Sequence, residues 1–375
     1  MADHPALALR DLSKRFGDVP AVDGVDLEVP SGQFLTLLGP SGSGKTTTLR
    51  MIAGFMAPSG GRIEIGGEDM TRVPAYRRDV GMVFQNYALF PHMTAAENVA
   101  FPLQMRRIGR DEVRRRVAEA LALVKLERFG DRYPRQLSGG QQQRIALARA
   151  VVFDPRLLLM DEPLGALDKK LREALQLEIL RIARQIGATV IYVTHDQEEA
   201  LVMSDRIAIF NAGRIEQLGS GEDLYDRPIS LFVADFIGES NILRGTYEAG
   251  ADGGRVTREA WGWRVSPAAA TRAGLSGGVA AALVIRPERA RLMPIDGDLR
   301  GDWNAIDAEV REILYLGATR KIELSLPDGG AAVVREPIGG DQAGPGMSDG
   351  RWQTGDHVRL AWPIDDGVVV ADPGH

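Results

Sequence analysis

The run Gly39-Pro40-Ser41-Gly42-Ser43-Gly44-Lys45-Thr46 constrains the fold of this chain more than any other feature. It follows a short apolar segment, Phe34–Leu38, and precedes a helix-like segment, Thr47 to Ala53. That is the strand–loop–helix setting which the G-x-x-x-x-G-K-[ST] pattern requires. Glycines at this spacing let the backbone curl so that successive N–H groups point inward at phosphate oxygens. The helix start adds partial positive charge. In such a loop Lys45 neutralises the β- and γ-phosphates, the Thr46 hydroxyl ligates Mg2+, and Thr47 closes the cradle in the first helical turn. The chain is therefore expected to bind a nucleotide at residues 39–47.

A phosphate loop needs an acidic partner. Leu157-Leu-Leu-Met160 is a continuous apolar run, as befits a strand buried on both faces, and it ends in Asp161-Glu162. Ligands of parallel sheets gather at the carboxyl ends of strands. Asp161 is expected to hold Mg2+ through water, and Glu162 to orient or deprotonate an attacking water. His195 closes another apolar strand, Val190–Val193, and so is expected to contact the γ-phosphate.

With 375 residues, of which 44% are hydrophobic, the chain has room for two or three domains with sizeable cores. Composition shifts near residue 240. All five tryptophans (Trp261, Trp263, Trp303, Trp352 and Trp362) lie beyond it. Ahead of the shift, strand-like and helical runs alternate, which predicts an α/β domain with a largely parallel sheet. From Gln104 to Gln136 the chain reads as purely helical, with Val113, Val117, Leu121 and Val124 on one face. Behind the shift, period-2 stretches (Ala282–Arg286, Lys321–Leu326, Val358–Trp362, Val368–Val370) separated by Gly, Pro and Asp predict a small barrel.

Charge and cysteine usage exclude several classes. A formal net charge of −6 implies no nucleic-acid binding by bulk charge. Zero cysteines exclude a disulfide framework and any cysteine-ligated zinc or iron–sulfur site. The longest apolar run, Val279 to Ile285, is far short of the roughly 20 residues of a spanning helix. The first residues, MADHPALALR, lack a basic region and an apolar core, so no signal peptide is expected.

Leu137-Ser138-Gly139-Gly140-Gln141, followed by Gln142-Gln143-Arg144, opens a second helix with small residues and so forms a second anion-binding helix start. Two such starts in one chain imply a nucleotide gripped from two sides by two copies. At this point the sequence resembles the ATP-binding subunits of ABC transporters, over residues 7 to about 237. The elements that carry the resemblance are Gly39–Thr46, Gln85, Leu137–Gln141, Asp161-Glu162, Leu164-Gly-Ala-Leu-Asp168 and His195. It implies a P-loop ABC ATPase domain over 1–238, with a helical subdomain over about 86–155.

The resemblance also implies roles. Phe16 would stack on adenine, and Gln85 would sense Mg2+ and the attacking water. Glu162, His195 and Gln85 would form the catalytic set. Ser138, Gly139, Gly140, Gln141 and Asp168 would approach the ATP bound by the opposite subunit. The segment Asn86–Thr94 would meet a membrane partner. Gly165 departs from the pattern, since many relatives carry Ser there. The implied partners are a second ATPase subunit, identical or paired, two membrane-spanning permease subunits and an extracytoplasmic solute-binding protein. The implied location is the cytoplasmic face of the inner membrane.

From Gly238-Glu-Ser-Asn-Ile-Leu243 onward, residues 239–375 resemble the accessory OB-like (TOBE) all-β domain of importer ATPases, with Val284–Arg289 and Tyr315–Thr319 as its motifs. OB folds bind oligonucleotides in other settings, but this tail lacks a basic, aromatic-rich strand face, so no nucleic-acid partner is expected. With Tyr76–Val80 and Phe84–Pro91, the pattern is most similar to the spermidine/putrescine importer group. Relatives serving ferric iron, sulfate, sugars or amino-acid derivatives share much of it, so the cargo stays open. A soluble ABC ATPase of DNA repair would carry a coiled coil between Thr46 and Ser138, which has no room here. A P-loop kinase would have no use for Leu137–Gln141.

Overall fold

The computed structural model describes residues 4–165, 168–338, 352–372 and 374. The predicted loop element Leu164–Asp168 includes Ala166 and Leu167, which lie outside the described residues. By contacts the chain divides into two units, 1–221 and 222–375.

Among the described residues the first unit contains ten strands: β1 (Leu7–Phe16), β2 (Val19–Val29), β3 (Phe34–Leu38), β4 (Gly60–Ile65), β5 (Glu68–Asp69), β6 (Val80–Val83), β7 (Leu157–Asp161), β8 (Val190–Thr194), β9 (Arg206–Asn211) and β10 (Arg214–Gly219). Six of them form a sheet in the order β10-β9-β3-β8-β7-β6, parallel except for the β9–β10 pair. Every residue of β3, β7 and β8 is buried, which is why these strands read as largely apolar runs. Successive side chains point to opposite faces. Leu35, Leu37, Leu159, Ile191 and Val193 join one core with β1, β2, β4 and the helix α1 (Lys45–Ala53). Phe34, Leu158, Met160, Val190 and Tyr192 join a second core. That second core is shared with α2 (Ala95–Met105), α3 (Arg110–Leu123), α4 (Gly139–Val151) and α5 (Lys169–Ile186). A short α6 (Gln197–Met203) follows β8.

Two findings differ from the expectations above. Besides the parallel sheet, β2-β1-β4-β5 form an antiparallel sheet of their own. The β1–β2 register shifts at three places between Leu9 and Arg15, which breaks the alternation by which strands are read. The stretch 104–136 is also not continuously helical. Arg107 and Lys125 adopt left-handed conformations with φ of 58°, ending α2 and following α3. The rest is short turns, Glu127–Phe129 and Pro134–Gln136. Within this stretch, which holds ten Lys+Arg and five Asp+Glu, two of the arginines of α3 pair closely with its acids. Arg115 donates to Glu112 and Glu119 at 2.7 Å, and Arg116 to Glu112 at 2.6 Å. Hydrogen bonds from Arg115 and Arg116 pull the Glu112 carboxyl down to about 2.

The second unit carries α7 (Gly221–Asp226), α8 (Leu231–Phe236) and α9 (Pro267–Ala273). Its strands are β11 (Asn241–Gly250), β12 (Gly253–Arg258), β13 (Trp261–Val265), β14 (Val279–Ile285), β15 (Arg291–Pro294), β16 (Trp303–Tyr315), β17 (Thr319–Ser325), β18 (Ala331–Pro337), β19 (His357–Pro363) and β20 (Val368–Ala371). They form two five-stranded antiparallel sheets, β13-β12-β11-β14-β20 and β15-β19-β16-β17-β18. Leu243, Val256 and Leu283 from one and Val310, Ile322, Leu360 and Trp362 from the other fill a single core.

Arg286, at the end of β14, is buried and lies 4.0 Å over the Tyr225 ring. It donates to the Tyr225 carbonyl at 2.8 Å and to the Ala234 carbonyl at 2.9 Å. Ala234 packs with Ala282, Val284 and Val370. The packing division thus precedes the compositional one, because two short helices of ordinary composition are held by the β domain. A chain ending at Gly221 is expected to stay soluble and bind nucleotide. One ending at Gly238 keeps α7 and α8 without Arg286, exposes Ala234, and is expected to self-associate. Size-exclusion chromatography and nucleotide titration of the two truncations check this.

Candidate nucleotide site

In the sheet order β3-β8-β7-β6, four neighbouring parallel strands end on one edge, and each delivers a piece of the site. After β3 comes the loop 39–46, at the end of β7 stand Asp161 and Glu162, His195 follows β8, and Gln85 lies two residues beyond β6. Residues far apart in sequence meet because parallel strands align their carboxyl ends.

The loop is built for a close approach of backbone. Gly42 and Gly44 take positive φ of 80° and 106°, and a Cβ on Gly39 would lie 2.3 Å from the Phe210 carbonyl oxygen. Lys45 is buried inside the curl, and its Nζ donates to the carbonyls of Gly39 at 2.7 Å and Pro40 at 2.8 Å. Burial lowers its pKa below the ordinary lysine range, while Glu162 and Asp161 oppose that shift. Pro40, Ser41 and Gly42 are exposed, Ser43 and Gly44 are buried, and Thr46 and Thr47 are half-buried in the first turn of α1. Thr46 Oγ1 donates to Asp161 Oδ1 at 3.1 Å. Burial raises the Asp161 pKa, with the Thr46 bond and Arg50 pulling the other way.

Glu162 is the hub of the far side. Its Oε2 accepts from Gln85 Nε2 at 3.5 Å and lies 3.3 Å from His195 Nδ1. Its backbone is left-handed, φ 44°, and its N–H donates to the Val193 carbonyl at 3.0 Å. A non-glycine residue held at positive φ is strain that the surroundings must over-determine, and such strain clusters at functional sites.

The helix start 137–141 is closed on itself by a capping box. Ser138 caps α4, its hydroxyl accepting from the Gln141 N–H while Gln141 Oε1 accepts from the Ser138 N–H at 2.9 Å. Ser138 and Gly139 are exposed, whereas a Cβ on Gly140 would press on Leu171 at 3.3 Å. Asp168 caps α5 by accepting from the Leu171 N–H at 3.0 Å. Phe16, at the end of β1, is 52% exposed and therefore not a core ring, and Lys14 Nζ lies 5.4 Å from its centroid.

Comparison with known proteins identifies the family. Residues 22–165 match the ABC transporter family, and residues 283–370 match the TOBE domain. The chain is 49% identical over 365 residues to the spermidine/putrescine import ATP-binding protein PotA of Rubrobacter xylanophilus, covering 97% of this chain and 93% of that one. The chain belongs to the family of ABC transporter ATP-binding proteins. A protein of the same name from Thermobifida fusca is 50% identical over 370 residues, covering 98% and 94% of the two chains. Among solved structures, a dimeric ATP-binding cassette in a post-hydrolysis state bound to ADP and Pi matches with a TM-score of 0.51. It is 36% identical and covers 57% of this chain and 98% of its own.

In this ABC ATPase the segment after Gln85 is held by residues that sequence reasoning missed. Tyr87 and Ala88 have φ of 61° and 45°, and their carbonyls accept from the buried Arg149 of α4 at 2.8 and 2.7 Å. Asn98 of α2 is fully buried. Its Oδ1 accepts from the Phe90 N–H at 2.8 Å, and its Nδ2 donates to the Thr94 carbonyl at 2.9 Å. An arginine among the apolar residues Ile145, Ala146, Ala148 and Ala150 was the available signal, because a buried guanidinium must find acceptors.

Proposed function

We propose that two copies of this chain hydrolyse ATP between them and so drive import of a polyamine, spermidine or putrescine, through membrane-spanning permease subunits. The observation that carries the catalytic part is the row of strand ends that sets Glu162 beside both Gln85 and His195, across from Lys45. Lys45 would exchange its carbonyl partners for the β- and γ-phosphates of ATP. Glu162 would orient the attacking water and take its proton, while Gln85 holds the carboxylate and His195 donates to the terminal phosphate. Mg2+ fits the donor set, because Thr46 Oγ1 and Asp161 Oδ1 are hard oxygen ligands already drawn together. When bound it would be held by these two residues, with Gln85 nearby, and would supply neutralisation of phosphate charge.

Phe16 would stack on the adenine, since its ring is exposed. Ser138, Gly139, Gly140, Gln141 and Asp168 would face the nucleotide of the opposite chain. Their polar groups bond to one another or cap their own helices within a single chain, and the similarity to a dimeric cassette supports the pairing. The polyamine reading rests on relatives named for spermidine/putrescine import that match nearly end to end. The segment Asn86–Thr94, pinned from behind by Arg149 and Asn98 and exposed at Asn86, Pro91 and His92, would dock on the permease. A solute-binding protein on the far side of the membrane would deliver the cargo, and this subunit would sit peripherally at the cytoplasmic face.

Charge-introducing substitutions, Pro91→Glu and His92→Glu, are expected to abolish spermidine and putrescine uptake while leaving ATP turnover of the isolated subunit within about twofold, as for a surface away from the chemistry. Radiolabelled uptake and phosphate release, measured side by side, check this. Equal losses in both would place the segment inside the catalytic site. Uptake of sulfate, ferric iron or a sugar in place of polyamine would overturn the cargo and leave the ATPase reading intact.

A further inference from the structure

We propose that Glu199 and Arg172 are positioning residues for hydrolysis, locking the turn that carries His195 to the first turn of α5 beside Asp168. The inference rests on the proposed role of His195 at the terminal phosphate.

Glu199 lies on α6, is 3% exposed, and its Oε2 accepts from two hydroxyls of β8, Tyr192 and Thr194, each at 2.8 Å. Thr194 Oγ1 in turn accepts from the Asp196 N–H at 3.0 Å, and Asp196 Oδ1 accepts from the Glu199 N–H at 3.1 Å. Both residues that flank His195 are thus held in one closed ring of hydrogen bonds. Arg172 joins the ring to another part of the site. Its Nη1 donates to Asp196 Oδ2 at 3.2 Å, and its Nε lies 3.8 Å from Glu199 Oε1. Its own backbone N–H donates to the Asp168 carbonyl at 2.9 Å.

Burying a carboxylate costs several kcal/mol unless it is paired and fully hydrogen-bonded. A leucine or methionine would cover β8 at lower cost, but it would not hold two hydroxyls and a guanidinium in one register. Burial pushes the Glu199 carboxyl up, against the pull of the Thr194 and Tyr192 hydroxyls. Burial and the facing Glu199 push the Tyr192 hydroxyl well above its ordinary range, so it stays a donor. The ring leaves His195 itself exposed and 3.3 Å from Glu162. A displacement of about 1 Å in that turn would misplace the imidazole, and misplacements of that size cost up to about a hundredfold in rate.

The test uses the full chain and five variants: His195→Ala, Glu199→Gln, Arg172→Met and each of the latter two combined with His195→Ala. Glu199→Gln keeps shape and one acceptor while removing the charge that faces Arg172. Glu199→Gln and Arg172→Met are each expected to lower kcat about tenfold with KM for ATP within about twofold. In the His195→Ala background the same substitutions should change the single-turnover rate by less than about twofold, since residues that act through His195 have nothing left to position. An undiminished loss in that background would overturn the inference and leave the role of His195 standing. So would unchanged kcat in both single variants, or a KM that rises in step with the fall in kcat. Wild-type turnover in His195→Ala alone would instead remove the reading of His195, and the inference with it. If Glu199→Gln fails to fold, Arg172→Met, on the half-exposed side of the ring, decides by the same criteria.

Discussion

Lys45→Ala is expected to abolish productive ATP binding. The ammonium is buried in the loop, and its present partners are neutral: the carbonyls of Gly39 and Pro40 and, at 3.4 Å, the Ser43 hydroxyl. Neither Asp161 nor Glu162 neutralises it by direct contact; they act on it only through space. The loop therefore carries a desolvated cation with weakly committed partners, ready for a phosphate. Removing one side of a buried, hydrogen-bonded charge pair costs about 2–5 kcal/mol. At 1.4 kcal/mol per factor of ten, that is a loss of affinity of at least about thirtyfold. The fold itself should tolerate the change, because alanine leaves no buried charge behind and favours α1. Isothermal titration with MgATP, alongside thermal unfolding, separates these effects. Wild-type affinity in a folded Lys45→Ala protein would overturn the assignment of the site.

The parts of this site that were legible in the sequence are those whose physics is local. A phosphate loop needs glycines and a lysine at fixed spacing, and β3, β7 and β8 are buried throughout and mostly apolar because both faces are covered. Asp161, Glu162 and His195 were readable as strand-end residues for the same reason. The antiparallel sheet was hidden because the register shifts in β1 scramble its period. The breaks within 104–136 turn on left-handed backbone at Arg107 and Lys125, residue types that give no warning of it. Glu199 was illegible for a different reason. In Asp196-Gln-Glu-Glu199 it reads as one more acid at a helix start, and its burial depends on Arg172, a full helix earlier in the chain. The tail's strands were evident from alternation, whereas α7 and α8 are joined to them by Arg286, which reaches back to their carbonyls, and by the packing of Ala234.

Glu162→Gln should convert the protein from an ATPase into an ATP-dependent dimer. Glutamine preserves the shape of the hub, so the Gln85 and His195 contacts keep their places, and Asp161 and Thr46 are untouched. What is lost is the carboxylate proposed to take a proton from water, and turnover should fall by about a hundredfold or more, the scale of a lost general base. ATP then persists in the site. A ligand that binds only the paired state stabilises it by mass action, so the variant should dimerise in MgATP and separate when ATP is withdrawn. Adding Ser138→Arg should prevent pairing by filling the space that the opposite chain's γ-phosphate would need. Ser138 also caps α4, and losing that cap costs about 1 kcal/mol by itself. Ser138→Ala is therefore the required control, since it removes the cap without adding bulk or charge. It should lower the melting temperature while still allowing the Glu162→Gln protein to pair. Sedimentation velocity of Glu162→Gln alone and combined with each Ser138 change, with and without MgATP, reads all three outcomes. A Glu162→Gln protein that stays monomeric in saturating MgATP would count against a site completed by two free chains, and would require the permease to bring the pair together.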